Sequence, residues 1–127
     1  MVQESAPRRR GPRQVMLKVQ VFNQQPHFGK GIVSLMQLVR QGHSLRSASA
    51  QMGLSYSKAW RLLKTAEADL GIPLMATQKG GAQRAGSTLT PEGEDLLERY
   101  LAFEQEARRQ VQAAFDKYFG DFGTPAP

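Results

Sequence analysis

Residues 44–53 carry a short hydrophobic pattern with the period of a helix. Leu45, Ala48 and Met52 recur every three or four residues, which places them on one side of a helix. Gly53 follows, and glycine adopts the left-handed conformation that ends many helices without steric cost. The pattern predicts a helix from about Ser44 to Met52, closed by a glycine turn.

A second, longer helix follows directly. Ser55 stands at an N-cap position, and the helix is expected to reach Leu70, just before Gly71 and Pro73. Its apolar positions fall on one stripe, namely Ala59, Leu62, Leu63, Ala66 and Leu70. A short helix, a glycine turn and a longer helix form the helix-turn-helix pattern.

The other side of the second helix is basic. It carries three cations, two hydroxyls and no acid, namely Ser57, Lys58, Arg61, Lys64 and Thr65. Cations suit phosphates and guanine edges, and small hydroxyls suit a close approach of the DNA backbone. A merely solvated face is the alternative, but such faces usually mix the two signs of charge. The acids Glu67 and Asp69 stand only near the helix end, so we interpret this side as a DNA-recognition face.

Two elements precede this motif. Residues 16–23 alternate apolar and polar side chains, with Leu17, Val19 and Val21 on one side, which predicts a half-buried strand. After a short turn, residues 29–41 repeat apolar side chains at helical spacing and predict a helix.

A glycine-rich, basic loop between two short strands follows the motif. Residues 74–77 and 88–89 predict the strands, so the loop between them is interpreted as the wing of a winged helix. Wings commonly lie on the neighbouring DNA backbone or in a minor groove, which makes Lys79 and Arg84 candidate phosphate contacts. The loop lacks the spacing of a nucleotide-binding phosphate loop, so nucleotide binding is not expected.

The last predicted element is a long helix over residues 90–119. Thr90 suits the N-cap and Pro91 the first helical position, and acids fill the first turns. Apolar residues recur at alternating spacings of three and four, with Glu104 as the one break, namely Leu97, Tyr100, Ala107, Val111, Ala114 and Tyr118. This spacing favours a coiled-coil-like seam between two subunits. The alternative is that only its first half packs on its own domain and the rest frays.

Composition narrows the function classes. The 127 residues suffice for one domain, contain no cysteine, and include no apolar run approaching the roughly 18 residues that span a membrane. We therefore expect a cytoplasmic protein without disulfides. His27 and His43 lack neighbouring metal ligands, so neither a metal nor another cofactor is expected. No paired carboxylates or Ser–His arrangement is evident either, so we do not expect an enzyme.

Charge is distributed unevenly along the chain. The net charge is +6, no acid lies between Ser5 and Ala66, and residues 91–127 carry eight acids against four bases. A basic front and an acidic rear indicate a polyanionic partner on one face. An anionic membrane is the competing partner, but no basic amphipathic helix of the kind that binds membranes is evident.

Polar segments flank the predicted domain. Residues 1–14 are rich in proline and arginine and are expected to form a disordered basic arm. The arm carries Arg8, Arg9, Arg10 and Arg13, which either contact phosphates or a minor groove, or simply increase solubility. Residues 15–119 would form the winged-helix domain with a dimerisation helix at 90–119, and residues 120–127 a flexible C-terminus.

The order of these motifs resembles the N-terminal DNA-binding domain of the ModE family, the molybdate-responsive transcriptional regulators, which are close to the LysR-type winged helices. The matching pieces span roughly residues 15–110 and are F-G-K-G at Phe28–Gly31, Ser44-Leu45 with Ala48, M-G-L-S-Y at Met52–Tyr56, Ala59-Trp60, G-I-P-L at Gly71–Leu74, Gly80-Gly81, and L-T-P-E-G at Leu89–Gly93. The S-Y-x-x-A-W segment with a glycine-rich wing is fairly specific to that family, whereas L-T-x-x-G is shared with LysR proteins. Arg46 and Ser49 depart from the small residues common there, which bears on operator preference and not on the fold.

The resemblance implies a mainly α fold with a small β wing: a winged helix-turn-helix plus a long C-terminal dimerisation helix. It also implies a homodimer through the first and last helices and a palindromic double-stranded DNA operator. Full-length family members carry a C-terminal oxyanion-binding domain, and these 127 residues end before such a domain would begin. We therefore expect no small-molecule effector site here, so a molybdenum signal would come from elsewhere or the chain would bind DNA constitutively.

Candidate DNA contacts follow from position on the motif. The base-edge candidates are Ser57, Lys58 and Arg61, because a recognition helix reads bases with its N-terminal half. The phosphate candidates are Arg46, Ser55, Tyr56, Lys64, Lys79 and Arg84. Trp60 lies near the apolar edge of its helix and is expected in the core. The alternative function keeps the fold but makes it a protein-interaction module whose basic face binds an acidic protein.

Overall fold

Four helices and one two-stranded sheet make up the part of the chain described by the computed structural model, residues 10–77 and 86–123. They are α1 (Lys30–Arg40), α2 (Leu45–Gln51), α3 (Tyr56–Leu70), β1 (Met75–Thr77), β2 (Ser87–Leu89) and α4 (Pro91–Phe119). Within the described residues, 18–77 with 86–102 form a first compact unit, and 10–17 with 103–123 form a second. The helices are those predicted, and the ends of α1 and α2 differ from expectation by one residue each.

An apolar cluster fills the first unit. On α1, Ile32, Leu35 and Met36 are fully buried. The other helices add buried side chains to this cluster, namely Leu45, Ala48, Ala59, Leu63, Ala66, Leu97 and Tyr100. Fully burying one large aliphatic side chain contributes about 1.5–3 kcal/mol to folding. The burial confirms the apolar stripes predicted for α1, α2 and α3.

Side-chain caps and a glycine turn define the helix-turn-helix. Ser44 Oγ accepts a hydrogen bond from the backbone N–H of Ser47 over 3.0 Å, so it caps α2. Ser55 Oγ accepts from the backbone N–H of Lys58 over 3.1 Å and caps α3 in the same way. Gly53 turns the chain between the helices with a φ of +72°, a conformation that strains other residues. The predicted cap at Ser55 and the glycine turn are therefore confirmed.

The strand predicted for residues 16–23 is wrong, although its alternation is present. Leu17, Val19 and Val21 are half-buried and the residues between them, Lys18 and Gln20, are exposed, but a single bridge joins Val21 to Phe28. A ladder does not form because α1 begins two residues after Phe28, so the partner segment ends there. A side chain holds this extended segment instead, since Tyr100 Oη donates to the carbonyl of Val19 over 2.8 Å.

Strands β1 and β2 form the base of the wing. They pair antiparallel, with Met75 opposite Leu89, Ala76 opposite Thr88 and Thr77 opposite Ser87. Residues 78–85, which connect them, lie outside the described residues, and so do the predicted contacts Lys79 and Arg84. A helix-turn-helix followed by an antiparallel pair is a winged helix. The fold is therefore mainly α with a small β component, as predicted.

Helix α4 begins as its sequence predicts. Thr90 Oγ1 accepts from the backbone N–H of Gly93 over 2.9 Å and donates to the carbonyl of Pro73 over 2.6 Å. Gly93 fits tightly against the preceding chain, because a Cβ at this position would collide with the carbonyl oxygen of Leu74. The buried residues of the 29-residue helix all lie within its first ten positions. Beyond residue 102 its side chains are half-buried or exposed, and dimerisation through them stays a prediction.

Candidate nucleic-acid interface

The outward face of α3 presents the candidate base contacts to solvent. Ser57, Lys58 and Arg61 are exposed, and Lys64 is exposed one turn beyond Arg61. Residues three apart on a helix are neighbours, so the three cations form one row. Ser55 is also exposed, and because its oxygen accepts the capping bond, its hydroxyl proton remains to donate to a phosphate. The structure thus places five of the predicted contacts on one accessible surface.

Both acids of α3 are engaged in hydrogen bonds to the backbone. Glu67 Oε2 accepts from the N–H of Leu74 over 2.7 Å and from that of Met75 over 3.3 Å. The Asp69 carboxylate accepts from the N–H groups of residues 23–25, each over 2.8 Å. These backbone hydrogen bonds hold the pKa of Asp69 below its ordinary value, and the bond from the N–H of Asn23 has the largest effect. Both acids stand near the end of α3, as predicted, and their role in holding the fold together is not evident from their spacing along the chain.

A stacked pair joins α2 to α3. The guanidinium carbon of Arg46 lies 4.3 Å from the centroid of the Tyr56 ring. An arginine stacked on an aromatic face is held in orientation while its N–H groups stay available for hydrogen bonds. Both residues were predicted as phosphate contacts, and the structure brings them together at the junction of the two helices.

The core position expected for Trp60 is wrong. Its side chain is 46% exposed, although the preceding Ala59 is fully buried. One residue rotates an α-helix by about 100°, which moves Trp60 from the buried stripe to the margin of the outward face. Lys64 Nζ lies 5.3 Å from the Trp60 ring centroid and 3.2 Å from Glu67 Oε1, so the charge of Lys64 is shared between two partners in the chain.

Two shallow depressions flank Arg61. The first is lined by Tyr56, Ser57, Trp60 and Arg61. The second is mainly apolar and lies between the start of α1, the turn of the motif and α3. Its lining consists of His27, Gly31, Met52, Leu54, Lys58, Arg61, Leu62 and Thr65. Arg61 therefore borders apolar surface on two sides, a feature that its charge and spacing alone did not reveal.

Only two of the four arginines of the N-terminal arm lie within the described residues. Arg8 and Arg9 lie outside the described residues, whereas Arg10 and Arg13 are exposed. The backbone N–H of Arg10 donates to the carbonyl of Gly123 over 3.4 Å.

Within residues 10–77 and 86–123, no cluster of histidine and acidic side chains is placed to hold a metal ion. In the same residues, no helix is long and apolar enough to cross a membrane.

Comparison with known proteins identifies the family of this chain. Residues 31–94 match the family described as bacterial regulatory helix-turn-helix protein, lysR family. The molybdenum-pterin-binding protein MopB of Rhodobacter capsulatus is 33% identical over 85 residues, which cover 67% of this chain and 31% of MopB. The aligned region thus spans less than a third of that relative. A solved structure of the CbnR DNA-binding domain with DNA is similar at 23% identity and a TM-score of 0.48, over 65% of this chain and 93% of that one.

The family match agrees with the motifs along the chain. The family match covers α1 to the start of α4, which is the winged helix described above. The resemblance to the N-terminal DNA-binding domain of ModE-type regulators is confirmed. The chain belongs to the lysR family of bacterial regulatory helix-turn-helix proteins.

Proposed function

We propose that this chain is a dimeric, sequence-specific regulator that binds double-stranded DNA and places α3 in the major groove. One observation carries the proposal. The cations of α3 stand on an exposed face, while both of its acids are engaged in hydrogen bonds to the backbone. An unbalanced positive face on the second helix of a helix-turn-helix matches the potential of a DNA groove.

Each contact has a role that follows from its chemistry. Arg61 and Lys58 would donate to base edges, with arginine suited to the paired acceptors of guanine, and Ser57 to either base or backbone. Arg46, held by its stack on Tyr56, and Ser55 at the cap would contact phosphates beside α3. Lys64 would first have to leave Glu67, so we rank its contribution below that of Arg46.

Dimerisation is the second part of the proposal. A dimer places two recognition helices on one palindromic operator, which multiplies the specificity of a short half-site. The outer part of α4 supports this, since Phe103 and Tyr118 remain 56% and 67% exposed on it. We further propose that DNA binding by these 127 residues does not depend on molybdate, because residues 31–94 match a helix-turn-helix family.

Selection of bound genomic fragments by the purified protein tests this function. We expect palindromic sites to be enriched equally with and without molybdate. The logarithm of the binding constant should fall linearly with the logarithm of the salt concentration, with a slope of about −0.9 per phosphate contact. A Lys58→Ala, Arg61→Ala double variant should lose enrichment, whereas Arg99→Ala, which removes an exposed arginine from α4, should retain it. No duplex affinity, together with capture of acidic protein, would replace this proposal by the protein-interaction module.

A further inference from the structure

Trp60 is an exposed aromatic residue at the margin of the basic outward face of α3. It is 46% exposed, whereas Ala59, Leu63 and Ala66 on the same helix are buried. Exposing part of an indole to water forgoes burial energy that a core position would supply. The exposed ring therefore provides apolar surface for a partner of α3.

The surroundings of the ring define the chemistry of that partner. Trp60 lines a shallow depression with Tyr56, Ser57 and Arg61, and Lys64 Nζ lies 5.3 Å from its centroid. The depression is thus apolar at Trp60 and cationic at its border. A matching ligand is anionic overall and presents a small apolar group at one point.

Duplex DNA offers that combination in its major groove. The phosphates supply the negative charge, and the C5-methyl of thymine is the apolar group that projects from the base edges. Guanine presents its two acceptors in the same groove, where an arginine contacts them. Because Trp60 and Arg61 are adjacent in sequence and line one depression, their targets would lie on neighbouring base pairs.

We propose that Trp60 determines specificity by contacting the methyl group of a thymine next to the guanine that Arg61 contacts. This inference rests on the proposed function, since it requires α3 in the major groove. It specifies one base and the group on it that is contacted: each half-site contains a thymine whose methyl group packs on the indole.

Replacing thymine by deoxyuridine in the selected operator tests the inference, because the exchange removes only the methyl group. We expect one thymine position per half-site at which the exchange weakens binding about fourfold, the value for one buried methyl group. Trp60→Ala should bind the thymine and uracil operators equally, whereas Trp60→Phe, which keeps an apolar ring, should retain part of the preference. Lys64→Ala removes a charge beside the Trp60 ring and leaves the ring in place. This variant should lower the salt slope and keep the methyl preference.

The possible outcomes distinguish failure of this inference from failure of the proposed DNA-binding function. Because Trp60 is exposed, its variants should fold, which circular dichroism and thermal unfolding would verify. Wild-type protein that binds its operator with no sensitivity to any thymine methyl overturns the role of Trp60 and leaves DNA binding in place. A methyl preference that survives in Trp60→Ala overturns it as well. Absence of duplex binding by the wild-type protein overturns both.

Discussion

Glu67 on the recognition helix accepts a hydrogen bond from the backbone N–H of Leu74, over 2.7 Å. This bond ties the end of α3 to the residue just before β1, so the acid couples the recognition helix to the base of the wing. The same carboxylate lies 3.2 Å from Lys64 Nζ through its other oxygen. Glu67 therefore acts on both the stability of the fold and the charge of the outward face of α3.

Two substitutions of Glu67 should separate these roles. Glu67→Ala leaves the N–H of the fully buried Leu74 without its charged acceptor and should lower the free energy of unfolding by about 1.5–3 kcal/mol, measured by urea denaturation. Glu67→Gln keeps an acceptor, so it should destabilise less, and it should bind DNA more tightly because Lys64 loses its anionic partner. As a matched control, Glu106→Ala on the exposed side of α4 should change stability by less than about 0.5 kcal/mol. Equal destabilisation by Glu67→Ala and Glu106→Ala would contradict the tie to Leu74.

Asp69 should make the stability of the fold depend on pH in the acid range. Its bonds from the backbone N–H groups of residues 23–25 lower its pKa from the ordinary value of 3.8, so the unfolded chain binds a proton more readily than the folded chain. The stabilisation is therefore complete above the unfolded pKa and is lost as the pH falls through the folded pKa. Asp69→Asn, with one acceptor oxygen, should be less stable than wild type at neutral pH.

Urea denaturation of wild type and Asp69→Asn across the acid range measures this effect. The difference between the two should shrink as the pH falls below about 4, because the unfolded wild-type chain then takes up a proton at Asp69 before the folded chain does. Asp95→Asn, which removes an exposed carboxylate paired with its helical neighbour Arg99, is the control and should differ little from wild type at any pH. A gap that stays constant with pH would show that Asp69 acts through packing and not through its charge.

Local patterns predicted the parts of the fold that depend on local physics. The serine cap of α3, the glycine turn and the buried stripes follow from residues within a few positions of each other, and the structure confirms them. The alternation over residues 16–23 correctly distinguished inward from outward side chains. It did not predict the missing ladder, because alternation carries no information about whether a partner segment is long enough.

The features that sequence analysis missed depend on distant contacts. The partners of Asp69 lie more than 40 positions earlier in the chain, and no periodicity relates the two segments. Trp60 was misplaced because a hydrophobic residue at the margin of a stripe fits either side, and only the packing of neighbouring elements decides between them. Both features support the proposal for α3, since the backbone bonds engage an acid of this helix and the exposed ring places an aromatic side chain at the margin of its outward face.

Substitutions at two arginines should distinguish base contacts from phosphate contacts. Arg61→Ala should weaken operator binding by about 1–3 kcal/mol and relax the preference at one base pair per half-site. Arg46→Ala should weaken binding to all sequences alike and lower the salt slope by about one. Fluorescence anisotropy with operator and scrambled duplexes at several salt concentrations measures both, with Arg99→Ala as an exposed-arginine control. Uniform weakening by Arg61→Ala would exclude a base contact at this residue.

The outer part of α4 should hold two chains together. Val111 is half-buried in the single chain, and it lies between Ala107 and Tyr118 on the apolar seam. Val111→Glu places a charge in that seam, so it should dissociate the dimer and weaken operator binding, because two half-sites are no longer bound by one particle. Sedimentation velocity measures the dissociation. Gln105→Glu adds the same charge about 120° away on the helix and should leave the dimer intact. A wild-type protein that stays monomeric at every concentration, or a Val111→Glu dimer, would exclude this seam as the interface.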